Sequence, residues 1–291
     1  TETTLSRSSP VSFAALLLTG CGSLASIPYS PAQTPDSWLR IQPFVEFHLG
    51  TRTIVLVQPT TTAIVYLLGV VAIGAGLHFL HSRNGQRARL WWGIALLLWG
   101  AGALAAGTSY EAFSYQIKCV GRRTSAWTSW WEIWYLVLTM ASVDAIVMAQ
   151  AYSGTHGTWR RVIAGYAAAH CALYTLMVLV GAAIPARFLI SFEMLLVASV
   201  PSAVLCVVLN ASRYRTMKRD LDIALLRAWA WMALTIGAYY LYLVSGWTQR
   251  LWARGAWFSE NDVLHIGLIA WMVYVVRVVS RHVVDETESR H

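Results

Sequence analysis

Glu111, Glu132, Asp144, His170, Glu193, Asp262 and His265 all lie inside, or at the ends of, long apolar runs. An ionisable side chain at membrane depth costs several kcal/mol, so each of these is either paired with a neighbour or placed for function. Carboxylates and imidazoles together can relay protons or ligate a divalent metal. Glu111, Asp144 and His265 are therefore the catalytic candidates. Spacing groups the residues further. Thr108, Glu111 and Tyr115 share a helical face at intervals of three and four, as do Asp262 and His265. Glu132, Tyr135, Thr139 and Ser142 form a stripe about 80° wide, with Asp144 about 120° round from it. Trp231, Thr235, Tyr239 and Tyr242 line one face of a later run. The expected ligand-binding set is Glu111, Glu132, Glu193, Asp262, His265, Tyr239 and Tyr242, converging near one end of a bundle. For Glu132 and Asp262 the plainer expectation is a carboxylate at a helix amino terminus, favoured by the helix dipole.

The elements that must carry these residues follow from composition. Of 291 residues, 57% are apolar and 12% charged, and mean hydropathy is +0.51. That balance lies far outside soluble composition, and it rules out a soluble enzyme, a disordered chain and a disulfide scaffold. Four cysteines, at positions 21, 119, 171 and 206, show no zinc or redox spacing. A membrane-crossing helix needs about 20 apolar residues. Seven runs qualify: 61–80, 90–112, 131–152, 162–184, 187–210, 223–247 and 262–281. Ser259-Glu260-Asn261-Asp262 fits a capping box and sets the start of the last one. The expected fold is all-α, a polytopic seven-transmembrane-helix bundle over 61–282. An apolar segment (1–28) and an irregular exported tail (29–60) precede it, and a short cytoplasmic tail (283–291) follows.

The net charge of +8 has a topological meaning rather than a nucleic-acid one, because the basic residues sit in short loops between apolar runs. Alternate loops and span ends collect twelve Lys and Arg on one face and nine on the other. This bias places the start of the first span outside and the carboxyl end in the cytoplasm, in a bacterial inner membrane. Trp127, Trp130, Trp131, Trp134, Trp247, Trp252 and Trp257 mark one interface, and Trp91, Trp92 and Trp159 the other. Leu18-Thr19-Gly20-Cys21 resembles the lipobox of bacterial lipoproteins. The resemblance implies cleavage before Cys21 and its lipidation; an uncleaved short helix is the plainer alternative.

Known chemistries narrow the function. A retinal protein needs a lysine deep in its last span, whereas the two lysines, Lys118 and Lys218, fall in loops or at span ends. Paired haem ligands need two imidazoles at one depth, which His78, His170 and His265 do not share. Gly107-Thr108-Ser109-Tyr110-Glu111-Ala112-Phe113-Ser114 and Asn261-Asp262-Val263-Leu264-His265 are slightly similar to motifs of the alkaline ceramidases, seven-span zinc amidases. Ser114 and Asn261 stand where that family has histidines, so one of three histidine ligands remains. The resemblance implies an intramembrane metallohydrolase using the outer carboxylate and histidine cluster. The preferred expectation is a non-catalytic subunit, scaffold or receptor-like module. Its small-residue surfaces (Gly69, Gly74, Gly76, Gly100, Gly102, Gly107) would pack against helices or bind a lipid or pigment. Its partners are the bilayer and other membrane chains, not nucleic acid. No complete metal-ligand set is legible, and no cofactor is assigned.

Overall fold

The computed structural model describes Leu24 and residues 26–29, 31–50 and 52–286. Seven helices are long and apolar enough to cross a membrane: Pro59–His81, Arg87–Ala112, Trp130–Gly154, Gly157–Ala183, Phe192–Met217, Asp220–Ser245 and Glu260–His282. The protein is an all-α, seven-span integral membrane bundle. With an odd number of crossings, the amino-terminal extension and the carboxyl-terminal segment lie on opposite faces, here termed the hairpin face and the tail face.

Helix ends follow local chemistry rather than hydropathy. The fifth span begins at Phe192, not 187, because Arg187–Ile190 forms a 3-10 turn and Ser191 Oγ accepts from the Met194 amide at 3.2 Å. The seventh begins at Glu260 with the expected capping box: the Ser259 amide donates to Asp262 Oδ2 at 2.6 Å. The fourth starts at Gly157, ahead of its apolar run, and takes Arg160 and Arg161 into its first turns.

The described part of the 29–60 segment is more ordered than an irregular connector. Its two apolar patches are the strands β1 (Phe44–Leu49) and β2 (Arg52–Val57), paired antiparallel with Phe44 opposite Val57. Val55 and Val57 of β2 are buried, whereas β1 is largely exposed. A short helix, Pro35–Arg40, buries Trp38. Cys21, with the whole lipobox, lies outside the described residues.

Neighbouring spans pack first on second, second on third, third on fifth, fifth on sixth, sixth on seventh, and seventh on first. Six spans therefore close a ring, and the fourth packs outside it against the third. The first two approach closely through glycines. A methyl carbon built on Gly100 would sit 2.8 Å from the Gly69 carbonyl oxygen, and one on Gly76 would sit 2.9 Å from that of Gly93. Both pairs are seven residues apart on their helices, so one antiparallel seam uses all four glycines. A methyl carbon built on Gly74 would meet nothing within 4 Å, so this glycine takes no part in the packing within the bundle.

The two halves of the ring are filled differently. Toward the tail face, Phe79, Trp92, Leu96, Leu225, Trp271 and Met272 belong to one hydrophobic cluster drawn from the first, second, sixth and seventh spans, with Ala145 and Ile146 from the third. Toward the hairpin face a second hydrophobic cluster, with Ile133, Leu136, Tyr174, Val178 and Leu195, joins the third, fourth and fifth spans, and polar side chains stand between the second, third and seventh.

Candidate functional site

At the hairpin end the second span departs from α-helical hydrogen bonding. Gly107–Ala112 is a π-helical turn, in which the Phe113 amide bonds the Thr108 carbonyl at 3.0 Å. Such turns insert an extra residue and re-aim the side chains that follow. Glu111 is carried by this turn and is 3% exposed. Asn261 Nδ2 donates to its Oε1 at 3.2 Å, and its Oε2 has no partner among the described residues. Thr61 Oγ1 and Ser259 Oγ lie 3.2 Å apart, so the first, second and seventh spans are joined by polar contacts at this end.

Lys118 lies between the second and third spans, as expected of a loop or span-end residue, yet it is buried. It ends the short helix Ser114–Lys118 and is 1% exposed. Its ammonium pairs with Glu132 Oε1. Ser109 Oγ donates to the same carboxylate oxygen at 2.7 Å, and Ser129 Oγ lies 2.6 Å from Ser109 Oγ. Tyr110 lies under the ammonium at 4.9 Å, and Tyr29 and Trp38 each at 5.9 Å. Burial by itself would lower the Lys118 pKa, but the charge of Glu132 outweighs it and holds the ammonium above its ordinary value. This buried pair fastens the amino-terminal extension, through Tyr29 and Trp38, to the second and third spans. No spacing rule links Lys118 to Glu132; the signal for it was a lysine next to a run rich in Tyr and Trp.

Tyr135, Thr139, Tyr239, Tyr242 and His265, on the third, sixth and seventh spans, are all half-buried. Tyr135 stands edge-on to Tyr110 at 6.0 Å and within electrostatic range of Glu111, Glu132 and Tyr239. Tyr239 packs on Phe192, and Tyr242 on Phe258. Thr139 Oγ1, Tyr242 OH and His265 Nδ1 have no hydrogen-bond partner among the described residues. Buried polar atoms in native proteins are rarely left unpaired; Gln150 and Asn210, toward the tail face, share this feature among the described residues.

Two members of the expected set sit elsewhere or are already used. Glu193 is exposed at the start of the fifth span, where its carboxylate complements the helix dipole. Asp262 is fully buried and spends Oδ2 on the helix cap, as the plainer expectation had it.

Asp144 does not join Glu111 and His265. Twelve residues beyond Glu132 on one helix, it lies about 18 Å deeper. His170 Nδ1 lies 2.9 Å from Asp144 Oδ1, and Nε2 lies 3.0 Å from the Ala198 carbonyl oxygen. Both ring nitrogens thus face oxygen atoms of neighbouring spans. Ser202 Oγ reaches Asp144 Oδ1 at 3.4 Å, and Tyr166 OH lies 3.0 Å from Ser202 Oγ. Pro201, lacking an N–H, leaves the Val197 carbonyl, next to that of Ala198, without its usual helical donor. Serine here touches the aspartate and not the histidine, so the trio lacks the arrangement that activates a nucleophile. It binds the third, fourth and fifth spans together at mid-membrane. Ser142, on the stripe 120° away, instead donates to the Ala95 carbonyl of the second span at 2.7 Å.

No three His, Cys, Asp or Glu among the described residues are grouped to hold a metal ion. Cys119, Cys171 and Cys206 are free thiols. Compared with known proteins, the chain matches no family model, no curated protein and no solved structure.

Proposed function

We propose that this seven-span protein is a non-catalytic binding module, receptor-like or a subunit of a larger membrane assembly, that holds an elongated lipid or pigment in the hairpin half of its helix ring. The observation that carries this reading is Glu111: a carboxylate 3% exposed, with one oxygen unpartnered among the described residues, on a π turn in the hairpin half of the bundle, where Tyr242 and His265 also keep unpartnered polar atoms among the described residues. Tyr135, Tyr239 and Tyr242 supply aromatic walls with a polar end, the usual lining of a site for an amphiphile. Exposed Val197, Val200, Val204 and Val208 on the fifth span give another membrane chain or lipid a smooth aliphatic surface. The metallohydrolase alternative has less support, because Asp144 is held by His170 far from Glu111 and His265.

For location we infer a bacterial inner membrane with the hairpin face exported. The excess of Lys and Arg on the tail face supports that orientation.

The test is mass spectrometry of small molecules retained by the purified chain, together with metal analysis. A bound amphiphile, present in the native protein and lost in Glu111→Leu but not in Glu193→Gln, supports the reading. Stoichiometric zinc lost in Glu111→Leu would replace it with the hydrolase.

A further inference from the structure

The tail face carries a second feature, unrelated to the ring interior. A recess of about 290 Å³ opens where the second, third and fourth spans end, lined by Arg87, Tyr152, Gly157, Arg160, Arg161 and Ala164. Three guanidinium groups thus line one small cavity with no carboxylate among its walls. The Tyr152 ring organises two of them: Arg87 lies 5.6 Å from its centroid and Arg160 5.5 Å.

Three other arginines of this face, Arg89, Arg213 and Arg219, are treated differently. Arg213 pairs with Asp222 and Glu286, and Arg219 pairs with Glu286. Arg89 is consumed by the Val283 carbonyl at 3.0 Å and by the Ser280 carbonyl. Asp285, the carboxylate next to the recess, is used by the amides of Arg87 and Ala88 at 2.9 and 2.7 Å. Arg160 donates to the Thr155 and Glu286 carbonyl oxygens, which direct its guanidinium without neutralising it. Arg87, Arg160 and Arg161 form no ion pair among the described residues, although acidic groups stand close by on the same segment.

We propose that this recess is an anion site for a phosphate group, the phosphate being that of an anionic phospholipid headgroup or of a free phosphorylated solute. Guanidinium forks match phosphate oxygens in pairs, and three of them around one cavity exceed what a lone surface charge provides. The cavity lies at the small end of ligand pockets and suits a headgroup rather than a large molecule. Its position at three span ends, beside Trp159 (71% exposed, at the interface), puts it level with lipid headgroups.

The experiment uses the full chain in detergent micelles and native mass spectrometry, titrating phosphatidylglycerol against phosphatidylcholine, then adding inorganic phosphate at millimolar concentration. The expected result is preferential phosphatidylglycerol adducts, weakened about tenfold in Arg87→Gln/Arg161→Gln and unchanged in Arg83→Gln, a tail-face arginine outside the recess. Ala164→Phe fills the cavity without altering charge and should weaken the adducts as well. Loss of adducts on adding inorganic phosphate assigns the site to a free phosphorylated solute; persistence assigns it to the lipid headgroup. Equal adducts for both lipids, or an Arg83→Gln effect as large as that of the double variant, would overturn the proposal. Arg161 is exposed, so an unchanged melting temperature in Arg161→Gln separates loss of binding from loss of fold.

Discussion

Lys118 and Asp144 show two ways of keeping charge inside a membrane protein, and each makes a prediction of its own. Removing one partner of a buried ion pair leaves an uncompensated charge, which typically costs about 3–5 kcal/mol. Lys118→Met should therefore destabilise the chain by that amount in detergent unfolding, and Lys118→Met/Glu132→Leu should recover most of it. A double variant as unstable as the single would show that Lys118 acts through its aromatic contacts rather than through Glu132. At mid-membrane, Asp144→Asn keeps an acceptor for His170 Nδ1, whereas Asp144→Leu strands that nitrogen at a cost of about 1–3 kcal/mol. The asparagine variant should melt nearer to the native protein than the leucine variant; equal losses would argue that the negative charge itself is required. Glu111, Asp144 and His265 were legible in the sequence as residues needing explanation, because their depth alone raises the question. Their partners were not, since a contact such as Glu111 to Asn261 spans 150 residues.

At the level of elements, the glycine seam and the carboxyl-terminal segment each bear on how the helices are held. Gly100→Val should cost about 3 kcal/mol or prevent the first two spans from closing, since the side chain meets the Gly69 backbone. The same substitution at Gly74, which faces open space, should change the melting temperature little. The carboxyl-terminal segment crosses the tail face with Asp285 capping the second span and Glu286 gripped by Arg219 and Arg213. Burial alone would raise the Glu286 pKa, but these arginines hold it below its ordinary value of 4.5. A depressed carboxylate stabilises the folded form above its unfolded value and loses that contribution as pH falls through the folded one. Hydrogen-exchange protection factors over 283–286, corrected for the intrinsic rate at each pH, should therefore be high at neutral pH and fall as the pH is lowered below about 4.5. Exchange that is already fast at pH 7 would mean the segment is not docked. Span existence was readable from hydropathy. The 3-10 turn at 187–190 and the π turn at 107–112 were not, because both are hydrogen-bonding choices that leave composition unchanged.

For the whole molecule, orientation is the prediction that matters most. In a background with the native cysteines replaced, Arg254→Cys should react with a membrane-impermeant thiol reagent on intact cells, and Arg83→Cys only after permeabilisation. The reverse pattern would invert the assignment of the two faces while leaving the bundle intact. The sequence by itself determined that the chain crosses a membrane seven times, because a backbone in lipid must bond to itself and about 20 apolar residues per crossing are enough to require it. It also determined the capping box at Ser259, a contact spanning three residues. Tertiary structure alone decided that six spans form a ring and the fourth stays outside, that Lys118 is buried against Glu132, and that Asp144 belongs to His170 rather than to Glu111. Lipid is as apolar as the helix surfaces, so hydropathy counts crossings without saying which faces meet. Close backbone approach and a few polar pairs decide that, and they join residues far apart in the chain.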